Sequence, residues 1–460
     1  MSTTSTKRHE VMDVSGHTYL LTEKLGKGGQ GVVWKTDNPK VLVKGFTAKD
    51  QAQRERWLEQ ITWLMRQDLA ALNIARPLAL LRAPRAGYVL ELMDGLIPLT
   101  RLLESFAVDG VDGYLLRGGL ARRVQLLMKL ASTLSLLHSR GMAFGDLSPD
   151  NIYVSAESEH AELWLIDCDN ISFESQPCRV LYTPDYGAPE LVRGQADFST
   201  LTDIWSFAVI AYQLLTGNHP FKGDMVSNGE PALEEQALRG DLPWIGHAED
   251  RSNVTECGIA LGSVATGKLT QLFALCFEQG LTEPTERPSM AHWLEAFHQV
   301  NERIVHCQAC TSSYLFNREY SCPFCGTALA ENFVLFNEYH FIQPDQLPEL
   351  DGNDSKGKGS LDRTGRFAVL QPGGKLVLRA NIPSQWNSDS LPPLLQLELL
   401  DDGLWIEPLQ SKVAIQRESK INQVPRRMKL NAELRGASDA EFLLHVGDLA
   451  KPHLLWRFKW

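Results

Sequence analysis

An aspartate and an asparagine five residues apart carry the clearest chemistry in this chain, in Phe144-Gly145-Asp146-Leu147-Ser148-Pro149-Asp150-Asn151. On a loop, such a pair can divide labour. Asp146 can accept the proton of an attacking hydroxyl and orient it. Asn151 can bind Mg²⁺ through its amide oxygen. The run Leu163-Trp164-Leu165-Ile166 has the pattern of a buried strand and delivers Asp167, within Asp167-Cys168-Asp169, as a second metal ligand. Upstream lies Gly26-Lys27-Gly28-Gly29-Gln30-Gly31-Val32-Val33. Alone, these glycines fit a plain hairpin turn. A dinucleotide site would need a strand before them and a helix after. Strand-like residues on both sides favour instead a β-hairpin lid with backbone N–H groups aimed at phosphates. Lys44 stands thirteen residues after Gly31 and closes the apolar run Val41-Leu42-Val43. It can reach phosphates if a carboxylate holds it. Glu55 and Glu59 are the candidates on the next helix. Glu59 is preferred, because Ile61 and Leu64 after it supply an apolar docking face; either alone could be a solvated helix charge.

A second constellation is Cys307-x2-Cys310 and Cys322-x2-Cys325, separated by 11 residues. Two such knuckles supply four soft ligands for a tetrahedral zinc ion. Two disulfides, free thiols or iron are the alternatives. A segment this short has almost no core of its own, so metal would supply its folding energy. Arg318 is the only basic residue between the ligands, which favours a rigid spacer or protein contact over a nucleic-acid site.

The elements that must position these residues differ along the chain. Residues 1–15 are polar and predict a disordered tail. Tyr19–Leu25, Gly31–Thr36, Val41–Phe46 and Tyr88–Leu92 predict strands, and Ala48–Leu72 a helix. Further on, Leu126, Leu130, Leu134 and Leu137 form one helical stripe. Thr202–Leu215, Lys268–Gln279 and Ser289–Val300 predict further helices. Residues 343–366, rich in Gly, Asp, Ser and Lys, predict a flexible linker. From 367 to 460 apolar and polar residues alternate, in Lys375–Arg379, Leu394–Leu399, Leu404–Ile406, Lys429–Glu433, Glu441–Val446 and Leu454–Trp460. Pro372-Gly373-Gly374 looks like a hairpin turn. The expectation is a small all-β sandwich serving as an interaction domain. Asp402–Glu407 is loosely similar to forkhead-associated domains, whose Arg…Ser-x-x-His signature is absent here.

The bulk properties narrow the classes. A net charge of −11 over 460 residues argues against nucleic-acid binding by bulk charge. No apolar run suggests a membrane span and no signal-peptide core opens the chain, so the expectation is a cytoplasmic protein. In a reducing compartment, paired cysteines favour metal over disulfide.

Thr183-Pro184-Asp185-Tyr186-Gly187-Ala188-Pro189-Glu190, Asp203-Ile204-Trp205-Ser206 and Glu286-Arg287-Pro288 complete an ordered series. This series resembles the eukaryotic-like protein kinases over roughly residues 17–300. The fold class implied is α+β: a two-lobed protein kinase fold (N-lobe 16–93, C-lobe 94–300), followed by a zinc ribbon at 304–328 and the sandwich at 367–460. The resemblance implies that Lys44 pairs phosphates with Glu59, that Asp146 is the catalytic carboxylate, and that Asn151 and Asp167 hold Mg²⁺. It implies that Gly26, Gly28 and Gly31 cover ATP. Leu25 and Val33 would pack on adenine, the backbones of Glu91 and Met93 would meet it, and Leu90 would be the gatekeeper. Glu190 would pair with Arg287, and Asp203 would brace the catalytic loop. Thr183 and the loop Asp146–Asn151 imply Ser/Thr specificity for protein substrates. The domain order is similar to that of bacterial kinases from tellurite-resistance and stress-response clusters. That implies a cognate protein phosphatase and a von Willebrand-type protein as partners.

Three departures qualify the match. The family's His-Arg-Asp is Phe144-Gly145-Asp146 here. The arginine pocket for a phosphorylated activation segment is therefore missing, although Ser172, Ser175 and Thr183 lie in that segment. The family lysine two residues after the catalytic aspartate is Ser148, which removes a positive charge from the transferred phosphoryl. The family's Asp-Phe-Gly is Asp167-Cys168-Asp169. A nucleotide-binding pseudokinase scaffold is thus an alternative to an active Ser/Thr kinase. Small-molecule phosphotransferases share the Gly-Asp of the catalytic loop, but not the Ala-Pro-Glu and Asp-x-Trp-Ser segments.

Overall fold

The computed structural model describes residues 9–27, 31–47, 50–174, 182–342, 360–380, 391–436 and 441–460. Gly28, Ser175, Cys178, residues 1–8 of the expected tail and 343–359 of the expected linker lie outside them. The chain divides into two compact units. The first holds residues up to Gly113, Thr133–Cys257 and Ala274–Arg287; the second holds Tyr114–Ser132, Gly258–Phe273 and Pro288–Trp460.

In the first unit, a six-stranded antiparallel sheet runs in the order β1-β2-β3-β4-β6-β5. Its strands are β1 (His9–Met12), β2 (Thr18–Lys27), β3 (Gly31–Thr36), β4 (Val41–Phe46), β5 (Ala79–Leu80) and β6 (Gly87–Glu91). The tail expectation is corrected from His9 onward, because β1 pairs with β2 and Val11 is buried in the sheet's core. The Asp13 carboxylate closes that turn. Its Oδ1 accepts from the backbone N–H groups of Ser15 and His17, and its Oδ2 accepts from the Tyr19 hydroxyl. Helix α1 (Gln51–Leu64) starts at Asp50, whose side chain accepts from Gln53 N. It buries Trp57, Ile61 and Leu64, the recurrence that 3.6 residues per turn requires.

The helices at Thr200–Thr216 and Met290–Asn301 fall within two residues of their expected bounds. The leucine stripe Leu126–Leu137 is fully buried.

In the second unit the ribbon is a hairpin, Ile304–His306 against Ser313–Leu315, followed by a second knuckle closed by an isolated bridge between Ser321 and Ala328. Two antiparallel sheets follow. One orders the strands Ser360–Leu370, Val334–Ile342, His453–Lys459, Glu441–Val446, Val413–Arg417 and Lys420–Gln423; the other orders Lys375–Arg379, Pro393–Leu400, Gly403–Pro408 and Met428–Asn431. One apolar core, including Leu378, Leu397, Ile406, Trp456 and Phe458, joins them.

Two boundaries and one turn differ from expectation. Val334–Ile342 belongs to the sandwich, although it precedes the expected linker. Ser360–Arg366 of that linker is strand, paired with Val334–Ile342. Pro372-Gly373-Gly374 does not close a hairpin; it carries the chain from one sheet to the other, with Gly373 at φ 71°.

The strand Ser360–Leu370 also explains how so short a ribbon packs. Arg366 to Leu370 are all buried. Ala368 and Leu370 enter the sandwich core, while Phe367 and Val369 pack with Val305, Tyr314 and Phe316 of the ribbon. The cysteine segment thus packs on an apolar face supplied by that strand.

Candidate active site

The first unit places Gly31, Val33, Asp167 and Asp169 about Lys44. Val33 and Lys44 are partners across β3 and β4, and Lys44 pairs with Tyr88 across β4 and β6. Gly31 is required by close approach, because an added Cβ would meet Gly45 O at 2.8 Å and Lys44 Cε at 3.3 Å. Gly26 lies on β2 opposite Val33. Leu90 is buried at the end of β6, followed by exposed Glu91 and half-buried Met93. Leu25 on β2 is exposed.

Lys44 is buried, and its Nζ makes ion pairs with Asp167 and, at 2.7 Å, with Asp169. Burial alone would push the ammonium's pKa down. The Asp169 carboxylate, then that of Asp167, outweighs it and holds the pKa above its ordinary value.

The expected Lys44–Glu59 pair does not form: Glu59 is exposed, and so is Glu55. Glu59 lies two residues from Trp57 and from Ile61, or about 200° around the helix. Trp57 faces inward instead. Its ring stacks on Phe46 and Tyr88 at centroid distances of 4.7 and 5.7 Å.

The catalytic loop is held from below. Asp203 accepts from the backbone N–H groups of Phe144 and Gly145 at 2.6 and 3.0 Å, with His138 Nε2 at 3.1 Å. Gly145 has φ 89°, and a Cβ there would meet the Phe198 ring at 3.1 Å and Asn170 O at 3.2 Å. An arginine here would be strained in that conformation and would crowd both neighbours.

Asp146 Oδ1 accepts from Thr183 N at 3.0 Å and Thr183 Oγ1 at 2.8 Å. Burial pushes the Asp146 carboxyl above the usual range, and the Thr183 hydrogen bonds oppose that shift. Asn151 Nδ2 donates to Asp146 O, which commits the amide nitrogen and leaves the amide oxygen available to a metal. Ile166 N donates to Asn151 O at 2.9 Å, so the loop is tied to the strand that delivers Asp167. Asp167 sits in the left-handed region (φ 58°, ψ 55°). Non-glycine residues hold that conformation at a cost, and such strain clusters at functional sites. An amide oxygen and a carboxylate are hard donors, which fits Mg²⁺.

Ser148 is buried and its Oγ has no hydrogen-bond partner among the described residues. Ser172 is fully buried and the Thr183 hydroxyl is engaged by Asp146. Glu190 and Arg287 form a bidentate pair at 2.7 and 2.8 Å.

The four ribbon cysteines converge, with all four sulfurs within 4.8 Å of one another and no disulfide. The two knuckles repeat one geometry. Thr311 N donates to Cys307 O and Gly326 N to Cys322 O, each at 2.9 Å. Thr311 and Gly326 both have positive φ. The Thr327 hydroxyl brings the Cys325 thiol down to about 6, and the Ser312 hydroxyl also lowers that of Cys310. Burial pushes the Cys322 thiol up to about 11; the convergence of four sulfurs, two of them eased toward thiolate, is what fits a soft divalent ion.

A β2–β3 hairpin beside a buried lysine, a braced Asp–Asn loop and an aspartate paired with that lysine define the class: this is the protein kinase fold. Residues 19–297 match the family profile described as protein kinase domain, more than half of the chain, and the chain belongs to that family. It is 36% identical over 130 residues to the serine/threonine-protein kinase pkn2 of Myxococcus xanthus, covering 26% of this chain and 15% of that protein. It is 28% identical over 273 residues to the serine/threonine-protein kinase PknD of Chlamydia abortus, covering 49% of this chain and 27% of that protein. Myosin light chain kinase A of Dictyostelium discoideum is 26% identical over 238 residues, 49% of this chain and 74% of that protein. The chain thus spans less than a third of either bacterial relative. Among the described residues no helix is long and apolar enough to cross a membrane.

Proposed function

We propose that the chain is an ATP-dependent protein Ser/Thr kinase. One observation carries this reading: Thr183 donates both its N–H and its hydroxyl to Asp146 Oδ1, beside an Asn151 tied to the strand of Asp167. When bound, Mg²⁺–ATP supplies the γ-phosphoryl and the cation that offsets its charge. Asn151 and Asp167 would hold the ion. Asp146 orients the protein hydroxyl and takes its proton as the new O–P bond forms and the bond to ADP breaks. Its raised pKa suits a group that must gain a proton. Lys44 offers a fixed positive charge to the phosphates, with Gly31 packed against its side chain.

The test is phosphoryl transfer from labelled ATP to protein. Wild type should label, and Asp146→Asn and Asp167→Asn should not; equal labelling in all three sinks the mechanism.

Ser148 favours a second reading, a nucleotide-binding pseudokinase scaffold, since the family lysine at that position would steady the transferred group. A Mg²⁺-dependent rise in thermal midpoint with ATP, without transfer, would select it. Small-molecule phosphate transfer is a third, weaker reading. The four-cysteine cluster is proposed to hold structural zinc. The similarity to tellurite-resistance kinases supports a cytoplasmic role in bacterial stress signalling, with a protein phosphatase and a von Willebrand-type protein as partners. A pull-down lacking both would remove those partners.

A further inference from the structure

We propose that Asp169, at the position of the family's glycine after the metal-strand aspartate, is the positioning residue that holds Lys44 toward phosphate, in place of a helix glutamate. The inference rests on the kinase reading and adds a residue to it.

Three elements aim at this one carboxylate. Its Oδ2 accepts from Lys44 Nζ at 2.7 Å and from Trp57 Nε1 at 3.1 Å, and its Oδ1 accepts from the Tyr88 hydroxyl at 2.6 Å. Its side chain is fully buried, whereas that of Asp167 is 37% exposed. A carboxylate with three donors and no access to water stays where it is. Asp167 has another task, as a metal ligand, and its exposure allows it to be engaged from solution. Asp169 is therefore the lasting partner of Lys44.

Polarity across the helix is inverted relative to the family. There the helix supplies an acceptor to the lysine. Here α1 supplies a donor, the Trp57 indole N–H, to an acceptor carried by the Asp-Cys-Asp turn. Glycine at 169 would leave Lys44, Trp57 and Tyr88 without their common acceptor, and buried donors without partners are costly. Asp169 is thus a relocated anchor and not a decayed motif.

The experiment uses the full chain in two assays: steady-state transfer from ATP, and titration with a fluorescent ADP analogue. Asp169→Asn keeps shape and removes charge. It should lower kcat about 100-fold with a smaller change in KM for ATP, and weaken ADP-analogue binding roughly three- to tenfold. Glu59→Gln should leave both within about twofold. Asp169→Gly combined with Trp57→Glu rebuilds a helix carboxylate and should recover at least about tenfold of the rate lost in Asp169→Gly alone. The proposal is overturned if Asp169→Asn stays within about threefold of wild type in both assays, if Glu59→Gln is equally damaging, or if the double variant is no better than Asp169→Gly. Asp146→Asn separates the two ideas. Transfer lost there but kept in Asp169→Asn leaves the kinase reading standing and removes this one. If wild type binds the analogue without transfer, binding decides: weakening by Asp169→Asn supports the anchor, and unchanged binding refutes it.

Discussion

Each compact unit buries one cation between two carboxylates, and the two clusters are built for different ends. In the first, Lys44 sits between Asp167 and Asp169. In the second, Arg366 makes a fork to both oxygens of Glu302, reaches Glu338 Oε2 at 2.9 Å and lies over the Trp456 ring at 5.0 Å. Glu302 and Glu338 are almost wholly buried. Burial pushes the Glu302 carboxyl up, and Arg366 opposes it. A planar guanidinium pre-shaped for carboxylates suits a closed joint. A point charge on a flexible stem suits a site where an incoming anion must share it. The first cluster leaves one carboxylate open to solution and the second leaves none. Openness, more than charge count, separates the cluster at the candidate site from the closed joint.

Exchanging the cations should break this contrast if it is wrong. Lys44→Arg should lower phosphoryl transfer by about 100-fold or more while the protein stays folded. Transfer near wild type would mean that Lys44 is only structural. Arg366→Ala should cost about 3–5 kcal/mol in the denaturant unfolding of the full chain, because two buried carboxylates lose their partner. Arg366→Lys should recover only part of that loss. A shift under about 1 kcal/mol for Arg366→Ala would show the second cluster to be open to water.

For the four-cysteine cluster, the proposed cation would come from solution. Zinc analysis should give about one ion per chain, and Cys325→Ser should lose most of it. The thermal midpoint should fall by roughly 5 °C; the borrowed apolar face limits the loss. A metal-free, disulfide-bonded protein would remove the site.

Asp13 is the smallest case, a buried carboxylate with no lysine or arginine partner among the described residues. Burial would raise its pKa, but hydrogen bonds from Ser15, His17 and Tyr19 outweigh that and bring it down to about 2 from 3.8. A depressed carboxylate contributes stability above its unfolded pKa and loses it as pH falls. Asp13→Ala should cost about 1–2 kcal/mol near neutrality, with the gap to wild type closing from about pH 4 to pH 2. A gap independent of pH would contradict the assignment.

The catalytic loop, Asp203, Thr183 and the Glu190–Arg287 pair were legible because order and spacing along the chain carry them. The anchor was not. An aspartate after a buried strand gives no sign of which of its neighbours it will face, and Asp169 becomes meaningful only beside Trp57 and Tyr88. Part of the signal was nevertheless present. Trp57, Ile61 and Leu64 mark one face of α1, and Glu59 falls opposite it. The strand Ser360–Leu370 was hidden for another reason. Its buried end, Arg366 to Leu370, has covered neighbours on both faces, so period-two alternation fails there. Pro372-Gly373-Gly374 specified a tight turn, but a turn does not say which sheet receives the next strand.

That doubly covered strand decides where the polypeptide can be cut. Removing the ribbon would bare Phe367 and Val369 on the outside of a sheet, next to exposed strand edges that invite self-association. A fragment ending after residue 330 would keep the four cysteines but lose the surface on which the knuckles rest. For expression and crystallisation, the ribbon and sandwich are therefore one indivisible piece.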